Sequence, residues 1–178
     1  MILYLLRHAS AGDSVADPVK DAKRGLDDDG IVQCRQIGRA LAALDVQPEV
    51  MIASPLKRAL QTASVVANEL SYESKIVTDK AMLPSAGFSD FSRMLNEYVH
   101  HEAIIAVGHG PSIDVFLSRC IGMPASSSPA VALKKGAVAR VDLSRSLKGT
   151  LVWLLTPKLV RSIQASLSSS SRPKTSRK

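Results

Sequence analysis

Only two cysteines occur in the 178 residues, Cys34 and Cys120, and both stand in apparently helical segments without Cys-x-x-Cys spacing. That scarcity argues against a disulfide-stapled fold, and the four histidines show no ligand-like spacing that would build a zinc knuckle with them. Both thiols are expected to be buried, and no metal or other cofactor is called for. Long apolar runs are missing as well: Met1 to Leu6 and Ala103 to Gly108 fall far short of the roughly 20 residues that cross a bilayer. No membrane span is expected. No positively charged stretch precedes the first apolar run, so a signal peptide is not expected either, and the chain reads as cytoplasmic.

Acidic residues are absent from Pro157 onward, and this absence explains the formal charge of +7. Six of the 23 Lys/Arg lie in that stretch, which leaves 17 basic and 16 acidic residues in Met1 to Thr156. The body of the chain is nearly neutral, so a specific nucleic-acid partner is not expected. The end of the chain contains seven serines, with the run Ser168-Ser169-Ser170-Ser171 followed by Arg172, Pro173, Lys174, Arg177 and Lys178. Such a composition favours a solubilising tail, with weak attraction to anionic partners as the alternative. Two units are therefore expected, a domain over 1–157 and a basic, Ser-rich tail over 158–178. Leu159, Ile163 and Leu167, four residues apart, suggest that the first part of the tail is a short helix docked on the domain.

Hydrophobic residues make up 46% of the chain, enough for one domain that buries roughly 70% of its unfolded surface. Short apolar runs alternate with amphipathic segments, the pattern of βαβ units with a sheet covered on both faces. Ile2 to Leu6, Glu49 to Ala53 and Ala103 to Val107 read as buried strands, Lys75 to Thr78 as a short one, and Ala137 to Leu143 and Thr150 to Leu155 as the last two. Gly30 to Leu44 carries Ile31, Cys34, Ile37, Leu41 and Leu44 at helical spacing, with Asp28 or Asp29 available as N-cap. Ser54-Pro55 reads as a cap residue and proline opening a second helix, and Phe88 to Val99 and Ser112 to Ile121 as two more. The expected fold is a three-layer α/β/α sandwich around a mostly parallel sheet.

In open α/β sheets the binding crevice lies beyond the carboxyl ends of the strands, so polar residues directly after strands carry the most information. The first strand runs into Arg7-His8, the second into the helix bearing Lys57-Arg58, and the Ala103 strand into Gly108-His109-Gly110. Taken singly, each has an ordinary explanation as a packed imidazole or a solvated cation. Together, two arginines and two histidines beside a helix N-terminus make a site for phosphate. A guanidinium fork matches two phosphate oxygens and stays charged at any working pH, which suits Arg7 and Arg58 to clamp a phosphoryl group. A neutral imidazole can attack phosphorus through one nitrogen while the other donates to a fixed acceptor, the part assigned to His8. His109 would donate a hydrogen bond to an equatorial oxygen in the transition state.

The segments Leu5-Leu6-Arg7-His8-Ala9, Ser54-Pro55-Leu56-Lys57-Arg58-Ala59-Leu60-Gln61-Thr62 and Val107-Gly108-His109 resemble the histidine phosphatase superfamily. The length, Lys23-Arg24-Gly25-Leu26 and Trp153-Leu154-Leu155-Thr156-Pro157 look most like its SixA-type phosphohistidine phosphatases. The resemblance covers about Met1 to Pro157. It implies a phosphoglycerate mutase-like fold without a cap domain and a metal-independent phosphatase working through phosphorylated His8. Arg7, Arg58 and His109 match the phosphate-binding groups, and Arg24 matches a further arginine, with a solvated loop charge as the alternative. The implied partner is a phosphorylated protein such as a phosphotransfer domain, and a small phosphate compound is the second choice; the oligomeric state is left open. Larger members of the superfamily supply a carboxylic acid from a Leu-x-Glu stretch, but here the region reads Ala81-Met82-Leu83-Pro84-Ser85. Asp13, Asp17 and Asp79 are the candidates for a replacement, and His100 and His101 are assigned to solvent. A small-ester phosphatase, a mutase, a non-catalytic phosphate-binding module and a zinc enzyme are the competing readings. A mutase is disfavoured by the little room for cap elements, and the binding module by the retention of both histidines.

Overall fold

Residues alternate sides along a strand, so the first apolar run must be covered twice. In the computed structural model, which describes residues 1–170, β1 (Ile2–Arg7) sends Leu3 and Leu5 into one core and Tyr4 and Leu6 into another. Each further element follows from where those two faces are covered. After β1 come α1 (Pro18–Lys23), α2 (Asp28–Ala43), β2 (Val50–Ala53), α3 (Lys57–Glu69), β3 (Val77–Thr78), a 3-10 turn (Lys80–Met82) and α4 (Phe88–Glu97). The chain continues through β4 (Ala103–Gly108), α5 (Ser112–Cys120), β5 (Val138–Leu143), β6 (Gly149–Leu155) and α6 (Pro157–Ser170).

Helices α4 and α5 cover the first face, where Phe91 stacks on Phe116 with ring centroids 4.4 Å apart. Helices α2 and α3 cover the second through Ile37, Leu41, Ala63 and Val66. The sheet order is β3-β2-β4-β1-β5-β6. β1 to β4 run parallel, and β5 is the strand of reversed direction, antiparallel to both β1 and β6. The three-layer α/β/α sandwich with a mostly parallel sheet is therefore the fold, and the described residues include no cap domain. None of the described helices is long and apolar enough to cross a membrane.

Parallel register sets the site. Arg7 pairs with Gly108, and Ala53 pairs with Val107, so His8, Ser54 and His109 follow the ends of three adjacent strands in one row. Backbone bonds extend the register past the strands, from the His8 N–H to the Gly108 carbonyl and from the Ser54 N–H to the Val107 carbonyl, both 2.9 Å.

Several local expectations change. Ser54-Pro55 does not open α3: the helix starts at Lys57, with Leu56 at the cap position and no side-chain cap bond. The Ser54 side chain is fully buried and points elsewhere. α2 is capped by Asp27 rather than Asp28 or Asp29. α1 has no buried residue and so no apolar stripe to reveal it; its start is Asp17 capping Val19 and Lys20 ahead of Pro18. At the other end, α6 packs on the second core through Val160, which is 6% exposed, whereas Leu159 and Ile163 are 43% and 50% exposed. The helix is there, but the stripe read from Leu159 and Ile163 faces solvent. The Leu167 side chain and the basic stretch over 171–178 lie outside the described residues.

Val160→Ala is expected to cost about 1–2 kcal/mol of unfolding free energy, and Ile163→Ala less than about 0.5, because only the first empties packed space. Denaturant melts of the two variants beside wild type measure the difference.

Candidate active site

His8 is fixed before any substrate arrives. Its Nδ1 lies 2.8 Å from its neighbour's carbonyl, Ala9 O. A carbonyl only accepts, so Nδ1 carries the proton and Nε2 the lone pair. The same turn is tied to α3: the Ala9 N–H donates to Thr62 Oγ1 at 3.1 Å, and Thr62 Oγ1 donates to the Arg58 carbonyl at 2.8 Å. One buried hydroxyl thus joins the segment carrying His8 to the helix turn carrying Arg58. Burial pushes the His8 pKa down to about 4; the Ala9 carbonyl works against this, and the Arg58, Arg7 and Lys135 charges add to it. His8 is neutral at pH 7.

Two guanidinium groups flank it, each half engaged. Arg7 donates from Nη1 to the Leu133 carbonyl at 2.7 Å. Arg58, only 5% exposed, donates from Nη1 to the Asp21 carbonyl at 3.0 Å and sits 3.2 Å from Asp21 Oδ2. Nε of both arginines is buried without a partner. An unpaired buried donor is costly, and two of them on adjacent forks mark a place for acceptor oxygens. Arg7 also explains Gly110: a Cβ there would lie 2.7 Å from Arg7 Cζ, inside contact distance.

His109 completes the group. Its ring centroid is 4.9 Å from that of His8, and its Nε2 lies 2.8 Å from Ser54 Oγ. Burial, then the neighbouring His8, Arg58 and Arg7, hold its pKa down to about 3. Arg24 is no solvated loop charge: its side chain is 16% exposed, with Nε 2.9 Å from Asp21 Oδ1 and Nη1 bonded to the Ala11 carbonyl. All five sequence-derived residues, Arg7, His8, Arg24, Arg58 and His109, line one cavity of about 530 Å³. A larger cavity of about 720 Å³ beside Phe88 and Arg119 contains none of them. Size does not mark the site here; convergent polar chemistry does.

The speculative acids separate. Asp13 stands on the cavity rim, exposed. Asp17 caps α1, and Asp79 caps the 3-10 turn through the Ala81 N–H, away from the cavity lining. His100 is exposed, and His101 pairs with Glu49 at 2.8 Å near the opposite end of β4. Cys34 and Cys120 are buried, with thiol pKa values pushed up to about 11 and about 12 by burial. Among the described residues no group of three or more His, Cys, Asp or Glu is placed to hold a metal ion.

Two charged cavity residues escaped the sequence reading. Asp21 binds both Arg24 and Arg58, and hydrogen bonding from Arg24 and the Val15 N–H, with the Arg58 charge, holds its carboxyl below the usual range. Its signal was the Asp21-x-x-Arg24 spacing, an i,i+3 ion pair on a helix too polar to recognise. Lys135 reaches the cavity from the turn before β5, where nothing in the sequence marks it.

Known proteins resemble this chain in sequence and in fold. Residues 3–82 match the family model of the histidine phosphatase superfamily (branch 1). The chain is 24% identical to the phosphohistidine phosphatase SixA of Escherichia coli (strain K12), over 88% of this chain and 94% of that protein. It is also 24% identical to the mitochondrial serine/threonine-protein phosphatase Pgam5 of Drosophila virilis, over 85% of this chain, but it spans only 62% of that relative's length. Its fold superposes on a tungstate complex of the protein histidine phosphatase SixA with a TM-score of 0.77, covering 89% of this chain and 98% of the other at 24% identity. The α-ribazole phosphatase of Shigella flexneri shares the fold as well, with a TM-score of 0.68 and 21% identity over 88% of this chain and 97% of that one.

Asp21 gives the site a test that separates position from charge. Removing a negative charge beside an anion site should by itself tighten anion binding; removing the anchor of two guanidinium groups should weaken it. Asp21→Ala is expected to weaken inorganic phosphate binding by about tenfold, or about 1.4 kcal/mol, measured by calorimetry.

Proposed function

From the match of residues 3–82 to the histidine phosphatase superfamily (branch 1) we propose that the chain is a member of that superfamily and that it removes the phosphoryl group from a phosphorylated histidine on a partner protein, through a covalent intermediate on His8. The observation that carries this reading is the His8 ring itself, with Nδ1 engaged by Ala9 O and Nε2 left with its lone pair between two half-engaged forks. The Nε2 lone pair forms a bond to phosphorus while the substrate's N–P bond breaks, and the electron pair of that bond stays on a substrate ring whose other nitrogen carries a proton, so that it departs as neutral imidazole. Arg7 and Arg58 hold the phosphoryl oxygens, Arg24 adds charge on the cavity's α1 side, and His109 donates to an oxygen as charge spreads in the transition state. Water then attacks phosphorus, the N–P pair returns to His8 Nε2, and inorganic phosphate leaves with the proton balance made up by solvent. No step calls for a metal ion, so turnover is expected to survive a chelator.

The choice of phosphohistidine follows from the acids. Esters expel an alkoxide that a positioned acid normally protonates, whereas imidazole, with a conjugate-acid pKa near ~6.5, leaves readily. The cavity carboxylates are Asp21, held ionised by two arginines, and Asp13 on the exposed rim; Pro84 is the Ala81–Ser85 residue that lines the cavity. The second reading, a phosphatase for a small ester, draws support from the fold shared with the α-ribazole phosphatase, and it would use Asp13.

A substrate panel decides between them. The kcat/KM for a phosphohistidine peptide is expected to exceed that for unactivated sugar phosphates at least about tenfold, equivalent to about 1.4 kcal/mol, with p-nitrophenyl phosphate between them. Efficient hydrolysis of an alkyl phosphate, abolished in Asp13→Asn, would favour the ester reading. The pH profile follows from the depressed pKa of His8. The reactive form is neutral, so kcat/KM should hold through pH 5 and fall only as pH drops through about 4, not through the ordinary histidine range near ~6.5.

A further inference from the structure

Ser54 is misread as a helix cap by its sequence, and its side chain is fully buried with a different partner. Its Oγ is 2.8 Å from His109 Nε2 and receives the Leu56 N–H at 3.3 Å. Those are the hydroxyl's hydrogen bonds among the described residues, and it is the fate of the hydroxyl proton that distinguishes the two directions of the first. With the oxygen accepting from Leu56, the single O–H proton has one acceptor in reach, His109 Nε2. In the opposite arrangement Nε2–H would donate to Oγ, and the serine proton would point into packed protein with no acceptor, an arrangement penalised by lost solvation. His109 Nδ1 has no hydrogen-bond partner among the described residues.

We propose that Ser54 is a positioning residue that holds His109 in its neutral, Nδ1-protonated tautomer, so that Nδ1–H is the donor offered to the phosphoryl oxygen and His109 has no free lone pair to act as a base. The proposal rests on the phosphatase reading for what the donor is for, but not for the tautomer itself. Strand register supplies the reason Ser54 can do this: Ala53 pairs with Val107, so the residue after β2 meets the segment after β4. The buried serine also opposes protonation of His109, because an imidazolium would leave the serine proton without an acceptor, and burial acts in the same direction. Arg58 and Arg7 face the same ring and push the same way, with Asp21 the opposing charge.

Imidazole ¹⁵N NMR of the full chain reads the tautomer without any turnover, with and without inorganic phosphate. In wild type, His109 is expected to show a pyridine-like Nε2 and a pyrrole-like Nδ1. In Ser54→Ala these signals should shift toward the Nε2–H form, and kcat for p-nitrophenyl phosphate should fall about tenfold, less than the roughly 10²–10³ expected for deleting a donor outright. KM should change little, since Arg7 and Arg58 are untouched, and Ser54→Thr, which restores the hydroxyl, should recover both tautomer and rate. A pyrrole-like Nε2 in wild type overturns the proposal without recourse to any variant. So does a Ser54→Ala protein whose His109 signals and kcat match wild type. If no phosphate compound is turned over but the wild-type tautomer and its dependence on Ser54 are as stated, the positioning role stands and the phosphatase reading is what fails.

Discussion

The parallel register of β1, β4 and β2 is the constraint from which the site hangs. Because Arg7 lies opposite Gly108 and Ala53 opposite Val107, three chain segments far apart in sequence leave the sheet within one row. A shift of one residue in either pairing would move His8 away from Gly108 O or Ser54 away from His109, and it would also turn alternate apolar side chains to the wrong core. The two cores hold the register as firmly as the hydrogen bonds do, since Leu3 and Leu5 are committed to one face and Tyr4 and Leu6 to the other. Site geometry is in this sense a by-product of core packing.

Burial then gives the site its electrical character. Two imidazoles and two guanidinium groups share a partly closed space; burial is the main force keeping the imidazoles neutral, and the cations add to it by making a further positive charge unfavourable. Neutrality is what the proposed chemistry asks of both rings, one to keep a lone pair and the other to donate without competing for protons. Asp21 joins the arginines without neutralising the whole: it engages Arg24 and one nitrogen of Arg58, and among the described residues Arg7 has no acidic partner. The remaining positive charge suits a phosphoryl dianion. A carboxyl drawn down by that same charge is poorly placed to serve as an acid, and on the proposed function an arrangement that captures phosphate would also disfavour substrates whose leaving group needs protonation.

Much of this was legible in the residues. Arg7, His8 and His109 follow buried strands, and a polar residue at that point is conspicuous because the strand before it is uniformly apolar. The helices with an apolar stripe, α2 to α5, were legible for the same reason, to within a few residues at their ends. What escaped was set by tertiary contact. α1 buries nothing, so its six residues have no periodicity to read, and Asp21 was missed with it. Ser54-Pro55 carries a cap signal, but the serine is taken by His109, a partner 55 residues away. On α6 the four-residue spacing of Leu159 and Ile163 is sound helical logic, and the packing chose Val160 one position along. Lys135 comes from a turn whose placement depends on the whole sheet.

The central claim is that His8 is locked with Nδ1 to its own chain and Nε2 toward the phosphoryl group. Rapid quenching of wild type during turnover of a phosphohistidine substrate, in alkali to preserve a phosphoramidate, followed by peptide mapping and ³¹P NMR of the labelled peptide, tests it most directly. The account predicts one phosphorylated residue, His8, substituted at Nε2 and chemically competent to decay to phosphate. Phosphate on Nδ1 of His8, on any other residue, or steady release of phosphate with no trapped intermediate and full activity in His8→Ala would contradict it.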